Sequence, residues 1–359
     1  MQAKLITPGM ALFALTLSAC QIVPPAPPPT AMTNPTLSSP SPQPTPAPAA
    51  DAFAANARLG RGVNLGNALE APREGEWGVT LEENDFRLIA EAGFDSIRLP
   101  TRWSAHTADD APYAIDPAFF ARVDWAIDQA LSRGLNVVLN IHHYDELFKD
   151  PSGQEARFLA IWRQIAERYA DRPDTLYFEV ANEPHDISAS RWNALQAKAI
   201  GVIRESNPTR WLIVTPVDWS SHRRLQDLAL PADDQRLIVT FHYYLPFEFT
   251  HQGAEWVAGT DKWVGRKWTA NTSERQSVLF DLDRAAKWGK DNTRPIYLGE
   301  FGAYSKADMD SRALWTAFVA RQAEQRGISW AYWEFRAGFG VYDYTARQWR
   351  EPLLKALLP

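Results

Sequence analysis

The chain has 359 residues, which is long enough for one large domain or for two smaller ones. Its formal net charge of -6 leaves no basic surface, so nucleic acid is not an expected partner. The 15 Trp residues are more than a core alone would use, and flat aromatic rings are suited to stacking on sugars.

Residues 1–19 have the pattern of an export signal. Lys4 supplies the positive start, residues 10–17 supply the apolar core, and this core is too short to span a bilayer as a mature helix. Residues 17–20, Leu-Ser-Ala-Cys, resemble the bacterial lipobox. The resemblance implies lipidation at Cys20 and a lipid-anchored location at the bacterial cell envelope. An incidental Cys beside an ordinary cleavage site is the alternative.

Residues 20–52 differ in composition from the rest of the chain. Between Pro24 and Pro48 there is almost no charge and almost nothing to bury, which predicts a disordered linker. Its prolines favour extended polyproline II, which would hold the following domain away from the membrane surface. Cys20 is the only cysteine, so the fold has to hold without an internal disulfide. We predict one catalytic domain over residues 53–359.

From residue 53 onward, short apolar runs alternate with amphipathic segments. Eight runs of strand type, each followed by a helical pattern, predict an α/β domain folded as a single (β/α)8 TIM barrel. A doubly wound open sheet is the alternative, but it would confine polar residues to one switch point, whereas here they follow nearly every strand. The predicted strands are Gly62–Leu65, Ser96–Leu99, Asn136–Ile141, Leu176–Ala181, Trp211–Thr215, Leu237–Phe241, Ile296–Gly299 and Ser329–Trp333.

Two of these predicted strands lead directly into a glutamate. The run from Leu176 ends in Asn-Glu-Pro, where Glu183 precedes a proline that cannot donate to a sheet ladder. The run from Ile296 leads into Glu300 in the same way. The carboxyl ends of barrel strands build the active site, and hydrolysis of a glycosidic bond requires two carboxyl groups. For either glutamate alone, a solvated loop acid is the alternative interpretation.

Other polar and aromatic side chains follow the remaining strands. Three histidines near carboxylates also fit a metal site, but the domain has no Cys and no His-x-His pair at a strand end. We therefore expect neither a metal nor a cofactor. The ring at the strand ends comprises Asn64, Asn67, Glu70, Arg98, His142, His143, Tyr144, Asn182, Trp219, His242, Tyr244 and Trp333.

Several of these motifs, in this order, resemble those of glycoside hydrolase family 5. The similarity covers essentially all of residues 53–359. The start of the domain, together with Pro-Phe-Glu-Phe-Thr-His at residues 246–251, resembles a bacterial subfamily of endoglucanases that often also accept mannan. The motifs are Arg-Gly-Val-Asn-Leu-Gly-Asn-Ala-Leu-Glu-Ala-Pro at 61–72, Ile-Arg-Leu-Pro at 97–100, Asn-Ile-His-His-Tyr at 140–144, Asn-Glu-Pro-His at 182–185, Phe-His-Tyr-Tyr at 241–244, Leu-Gly-Glu-Phe-Gly at 298–302 and Tyr-Trp-Glu at 332–334.

The resemblance implies a retaining endo-glycoside hydrolase acting on β-1,4-glucan, with mixed-linkage glucan and mannan as further substrates. We expect a monomer. The alternatives are an enzyme that acts mainly on β-mannan, a barrel that only binds glycans, and a metal-dependent hydrolase. The presence of both Glu183 and Glu300 argues against a binding protein that has lost catalysis.

The resemblance also implies a role for each matched residue. Glu183 would be the acid/base and Glu300 the nucleophile, with their carboxyl groups about 5 Å apart. Arg98 and Tyr244 are the natural partners to keep Glu300 ionised. Asn182 would bind the 2-hydroxyl of the sugar, His142 and His242 would orient the network, and Trp333 would form the floor. Asn67, Glu70, His143, His251 and Trp256 match substrate-contacting positions, with a structural polar group on the barrel rim as the alternative for each.

Overall fold

The computed structural model describes residues 51–359. The predicted signal at residues 1–19 and nearly all of the predicted linker, including Cys20, lie outside the described residues and stay predictions. Within the described range, no helix combines the length and the apolar character that a membrane crossing needs.

The strands form a closed, parallel eight-stranded barrel in chain order, in which the first strand also pairs with the eighth. The (β/α)8 prediction is therefore confirmed. All eight predicted strands are present, with ends that differ by at most two residues. The strands are β1 (Arg61–Asn64), β2 (Ser96–Leu99), β3 (Asn136–Asn140), β4 (Leu176–Glu179), β5 (Leu212–Val214), β6 (Leu237–Tyr243), β7 (Ile296–Phe301) and β8 (Ser329–Tyr332).

The barrel strands are nearly continuous apolar runs because both of their faces are buried, as parallel sheets require. Val138, Tyr177 and Ile238 belong to a small core cluster that also includes residues of the first helix, α1 (Ala52–Leu59). Tyr177 Oη donates to the Ala55 carbonyl at 2.9 Å, which ties this helix to β4. The cluster fills the amino-terminal end of the barrel, so the functional cleft lies at the opposite end.

The helices alternate with the strands, and their N-caps explain where several of them begin. Asp150 caps the helix that starts at Pro151, because its side chain accepts a hydrogen bond from the Gly153 amide. Ser188 caps the next long helix through the Arg191 amide. The remaining helices are α2 (Glu83–Ala92), α3 (Pro117–Leu131), α4 (Asp145–Lys149), α5 (Pro151–Arg168), α6 (Ala189–Ser206), α7 (Val217–Ser220), α8 (Phe247–Thr250), α9 (Thr272–Asn292), α10 (Met309–Glu324) and α11 (Glu351–Leu357).

The long connection between β6 and α9 is ordered and carries α8. Trp268 in this connection is buried against Phe318, with ring centroids 5.6 Å apart, so it packs rather than faces the cleft. A short antiparallel pair, β9 (Tyr342–Asp343) with β10 (Gln348–Trp349), follows β8 and had no sequence signal.

Candidate active site

A cleft of about 1270 Å³ opens at the carboxyl end of the barrel. It brings together eleven of the thirteen residues that the sequence assigned to catalysis or to substrate contact. The other two, Arg98 and Asn182, are buried beside the cleft. The eleven lining residues are Asn67, Glu70, His142, His143, Glu183, His242, Tyr244, His251, Trp256, Glu300 and Trp333.

Glu183 and Glu300 face each other across this cleft. One carboxylate oxygen of each lies within 4.8 Å of the other, close to the separation of about 5 Å found in retaining glycosidases. Glu300 is the fifth residue of β7, whereas Glu183 lies beyond the end of β4 with φ of 42°. A non-glycine residue with positive φ is uncommon, and such backbone strain often accompanies functional sites.

Arg98 on β2 is the fully buried centre of the polar network below the cleft. It donates from Nε and Nη2 to the two oxygens of Glu179, both at 2.6 Å. It also donates to Glu300 Oε1 at 2.6 Å, to Asn182 Oδ1 at 2.7 Å and to Asn64 Oδ1 at 2.9 Å. These five bonds use every N–H donor of the guanidinium, so its position is fully determined.

Two hydrogen-bond donors, Arg98 and Tyr244, stabilise the ionised form of Glu300. Burial raises the pKa of the Glu300 carboxyl above its ordinary value, while the charge of Arg98 and a hydrogen bond from Tyr244 limit this rise. Tyr244 Oη lies 2.8 Å from Glu300 Oε2. Burial, and then the charges of Glu300 and Glu183, raise the pKa of Tyr244 well above its ordinary value, so the phenol keeps the proton that it donates. The arrangement suits a carboxylate nucleophile.

Glu183 has fewer donors that could stabilise its ionised form. Burial raises the pKa of the Glu183 carboxyl to about 7. The positive charge of Arg98 lowers this pKa, but by less than burial raises it. Its closest side-chain partner is His242, whose Nδ1 lies 2.7 Å from Glu183 Oε1. Burial lowers the pKa of His242 to about 4, so this imidazole is neutral and leaves the proton on Glu183. With its side chain 24% exposed, Glu183 can also reach a substrate. These are the properties of a general acid.

Asn182 is oriented by the same network. Because Arg98 donates to Asn182 Oδ1, the amide nitrogen of Asn182 is free to donate to a ligand in the cleft. Asn140 lies below: its Nδ2 is 3.3 Å from Glu179 Oε1 and 3.1 Å from His142 Nδ1. Asn140 therefore connects His142 to Glu179, and through this connection His142 could take its predicted orienting role.

The side of the cleft formed by β8, β1 and β3 carries flat rings. Trp333 lies nearly parallel to His142, with ring centroids 5.9 Å apart and planes 16° apart. A Cβ on Gly66 would stand 2.9 Å from the Trp333 ring, so only glycine allows this approach. His143 makes an edge contact with Trp77, with centroids 5.5 Å apart.

Glu70 lines the cleft wall, but its side chain is fully buried. Its two oxygens accept hydrogen bonds from the backbone amides of Asn67 and Ala68. Burial raises the pKa of Glu70 to about 8, and the nearby carboxyl of Glu334 acts in the same direction. Its contacts are therefore within the protein, which favours a structural role for Glu70 over direct sugar contact.

The other side of the cleft presents exposed aromatic rings. Trp256 is 59% exposed and meets Tyr304 edge to face, with centroids 4.8 Å apart. His251 also lines the cleft and is stacked on Phe247, with ring centroids 4.1 Å apart.

Trp219 was not among the expected substrate contacts. It is 55% exposed, lines the cleft and stacks on His185 at 5.2 Å with the planes 3° apart. Asp218, Trp219 and Ser220, three of the four residues of α7, all have positive φ, so this segment is a left-handed turn, and it presents the Trp219 ring. Glu179, Asn140 and Trp77 are further site residues that the sequence did not single out, whereas Asn64 belongs to the predicted ring at the strand ends.

Among residues 51–359, one group of side chains has the spacing of a metal site: Glu183, His242 and Glu300. Two carboxylates and an imidazole are acceptable ligands for a divalent transition metal. The Arg98 guanidinium, which is already bonded to Glu300, would repel such a cation at close range. The donor set therefore fits acid/base chemistry better than metal binding.

Fold and site together define a (β/α)8 barrel with paired carboxyl groups of unequal proton affinity at its carboxyl-terminal face. Residues 60–338 match the family described as Cellulase (glycosyl hydrolase family 5), and the chain belongs to this family.

Individual relatives agree with this assignment. Endoglucanase H of Acetivibrio thermocellus is 36% identical over 315 residues, which cover 86% of this chain and 33% of that protein. The chain thus spans about a third of the length of this relative. Crystal structures of Thermotoga maritima Cel5A in complex with cellobiose (51% identity) and with mannotriose (50% identity) superpose with a TM-score of 0.84 in each case. Each covers 86% of this chain and 100% of the solved one.

Proposed function

We propose that this protein is a retaining endo-hydrolase of β-1,4-linked glucan. The observation that carries the proposal is the pair of facing carboxyl groups, of which Glu183 keeps a proton up to about pH 7 while Glu300 accepts from Arg98 and Tyr244. This asymmetry supplies an acid and a nucleophile at the same pH.

In the first step, Glu300 attacks the anomeric carbon while Glu183 gives its proton to the leaving glycosidic oxygen. The carbon–oxygen bond breaks, and a covalent glycosyl-enzyme forms. The negative charge of Glu300 is then gone, so the acidity of Glu183 rises. In the second step, Glu183 takes a proton from water, the hydroxyl oxygen attacks the same carbon, and Glu300 is released as a carboxylate. Asn182 can donate to the 2-hydroxyl, a contact that strengthens in the transition state.

Several features favour a polysaccharide as the substrate. The cleft of about 1270 Å³ is larger than a typical small-molecule pocket. Trp333 and the exposed rings of Trp219 and Trp256 line this cleft. Together these three rings offer stacking surfaces for more than one sugar. The Cel5A structures contain cellobiose and mannotriose, which supports β-glucan as the main substrate and β-mannan or glucomannan as further ones.

We also propose that the enzyme acts as a monomer held at the bacterial cell envelope by lipid on Cys20. The lipobox-like residues 17–20 support the anchor, and the proline-rich residues 24–48 would give the catalytic domain reach from the membrane.

Product analysis tests the proposed activity. Wild type and Glu300→Gln are incubated with carboxymethylcellulose, glucomannan and lichenan, and both viscosity and reducing ends are followed. We expect wild type to lower viscosity steeply at few reducing ends, as internal cleavage does, and the variant to do neither. Release of only short sugars from chain ends, with viscosity preserved, would contradict endo action. Comparable cleavage by Glu300→Gln would contradict the assignment of the site.

A further inference from the structure

We propose that Glu179 is a positioning residue for the nucleophile: it fixes the Arg98 guanidinium and shares its charge, so that Glu300 is ionised but still reactive. The inference rests on the proposed retaining mechanism. It concerns a residue inside the barrel, below the cleft, that no substrate can touch.

Three observations place Glu179 in this role. Its side chain is fully buried and forms a two-bond ion pair with Arg98, through Nε and Nη2 at 2.6 Å each. The opposite side of the same guanidinium contacts Glu300 through Nη1, also at 2.6 Å. Glu179 is the last residue of β4, whereas Glu300 is on β7 across the barrel. One cation thus stands between two carboxylates from different strands.

The charges decide what this geometry does. A buried arginine facing only Glu300 would hold that carboxylate strongly and weaken it as a nucleophile, because charge-assisted hydrogen bonds stabilise the ionised form. Glu179 provides a second negative charge on the same cation and also repels Glu300. Both effects keep the electron pair of Glu300 available for attack.

The remaining charged and titratable groups around Glu300 cannot replace Glu179. His242 on β6 is neutral, because burial lowers its pKa to about 4. Tyr244 donates a hydrogen bond to Glu300 and so lowers its basicity. Glu183 is protonated in the active form, and Tyr297 is a buried phenol whose pKa is raised by burial. Glu179 is therefore the one fixed negative charge next to Arg98 besides Glu300 itself, among the residues that the structure describes.

Glu179 also affects the first step more than the second. Without its charge, Arg98 would bind Glu300 more tightly, which slows the attack on the sugar. The same change makes Glu300 a better leaving group, so hydrolysis of the glycosyl-enzyme would not be slowed in this way. A residue that only stabilised the fold would produce no such asymmetry.

The test compares wild type with Glu179→Gln, using dinitrophenyl cellobioside and pH profiles of kcat/KM. We expect the acid limb, which reports Glu300, to move about one unit to lower pH. At the pH optimum, kcat/KM should fall about tenfold or more, and the rate of decay of the glycosyl-enzyme should fall less than the rate of its formation.

Two further variants make the result decisive. Asp234→Asn removes a carboxylate from another partly buried arginine, Arg204, outside the cleft, and should leave both rates unchanged. Glu179→Asp keeps the charge, but its side chain is one methylene shorter and cannot reach Arg98 from the same backbone position at 2.6 Å, so it should retain the wild-type acid limb with a lowered kcat/KM. If Glu179→Gln does not fold, Glu179→Asp is the variant to measure. A kcat/KM equal to that of wild type in Glu179→Asp would then overturn the inference.

A wild-type acid limb in folded Glu179→Gln, with only a lowered Tm, would show a purely structural role and overturn the inference. Failure of the proposed function is distinguishable, because then wild type itself would not hydrolyse the aryl cellobioside.

Discussion

His242 Nδ1 lies 2.7 Å from Glu183 Oε1, and this neutral imidazole is the closest side-chain partner of that carboxyl. The same nitrogen is 3.6 Å from Glu300 Oε2. His242 therefore touches the two carboxyl groups without supplying a positive charge to either. The proton needed for the leaving group can stay on Glu183, and Glu300 depends on Arg98 and Tyr244 for its stabilisation.

The pH dependence follows from the raised pKa of Glu183. Because its pKa is about 7, the proton donor is present below that pH and is lost as the pH rises through it. We expect kcat/KM on cellooligosaccharides to fall on the alkaline side near pH 7. Dinitrophenyl cellobioside has a leaving group that needs no proton, so its kcat/KM should keep its value there. Identical alkaline limbs for both substrates would mean that another group titrates.

Trp219 offers a test of the cleft as a polysaccharide site. Trp219→Ala removes a stacking surface worth about 1 kcal/mol, so KM for glucomannan or carboxymethylcellulose should rise about fivefold, with little change in kcat on dinitrophenyl cellobioside. Phe280→Ala is the matched control, since this ring is 62% exposed but lies outside the cleft. Equal effects of the two substitutions would indicate a general surface effect rather than a sugar subsite.

We expect the activity to be independent of metal ions. This expectation needs a test, because Glu183, His242 and Glu300 have the spacing of a metal site. Exhaustive dialysis against EDTA should leave kcat/KM on carboxymethylcellulose unchanged, because the mechanism uses carboxyl groups only. A metal-free buffer dialysis is the control. Loss of activity that one divalent ion restores would reverse the acid and nucleophile assignments.

The lipid anchor is tested by Cys20→Ala. Cells producing wild type or this variant are fractionated, and activity is measured in membrane and soluble fractions. The several acyl chains of a bacterial lipoprotein should hold wild type firmly, whereas the variant should be released. Equal distribution of the two proteins would leave no role for Cys20 in localisation.

Much of the barrel was predictable because buried parallel strands leave a clear pattern in the sequence. Each of the eight apolar runs became a strand, and the residues that follow them form the cleft. Trp162, Trp192 and Trp315 lie on helices and are fully buried, so they pack in the core.

Other features depend on contacts that the sequence does not display. Glu179 lay inside a predicted apolar strand, and a charge there signals a buried partner, but the identity of Arg98 as that partner requires the closed barrel. Trp219 could be placed near a strand end, yet its exposure depends on three consecutive residues with positive φ. Glu70 matched a substrate-contacting position, but two backbone amides engage its carboxylate.

The roles of the two glutamates are the central claim, and their substitutions should behave differently. Glu300→Gln removes the nucleophile, so activity should fall for every substrate, including activated ones. Glu183→Gln removes the proton donor and the base. Dinitrophenyl cellobioside should still react in the first step, and the glycosyl-enzyme should then accumulate, giving a burst of dinitrophenol followed by slow turnover.

The most direct measurement is the stereochemistry of the product that Glu183→Gln forms from dinitrophenyl cellobioside in the presence of azide. Azide needs no base, so it should accelerate the slow phase. Attack on a glycosyl-enzyme at Glu300 should yield the β-cellobiosyl azide. An α-azide from this variant, or rescue by azide confined to Glu300→Gln, would show that the enzyme inverts or that the two roles are exchanged.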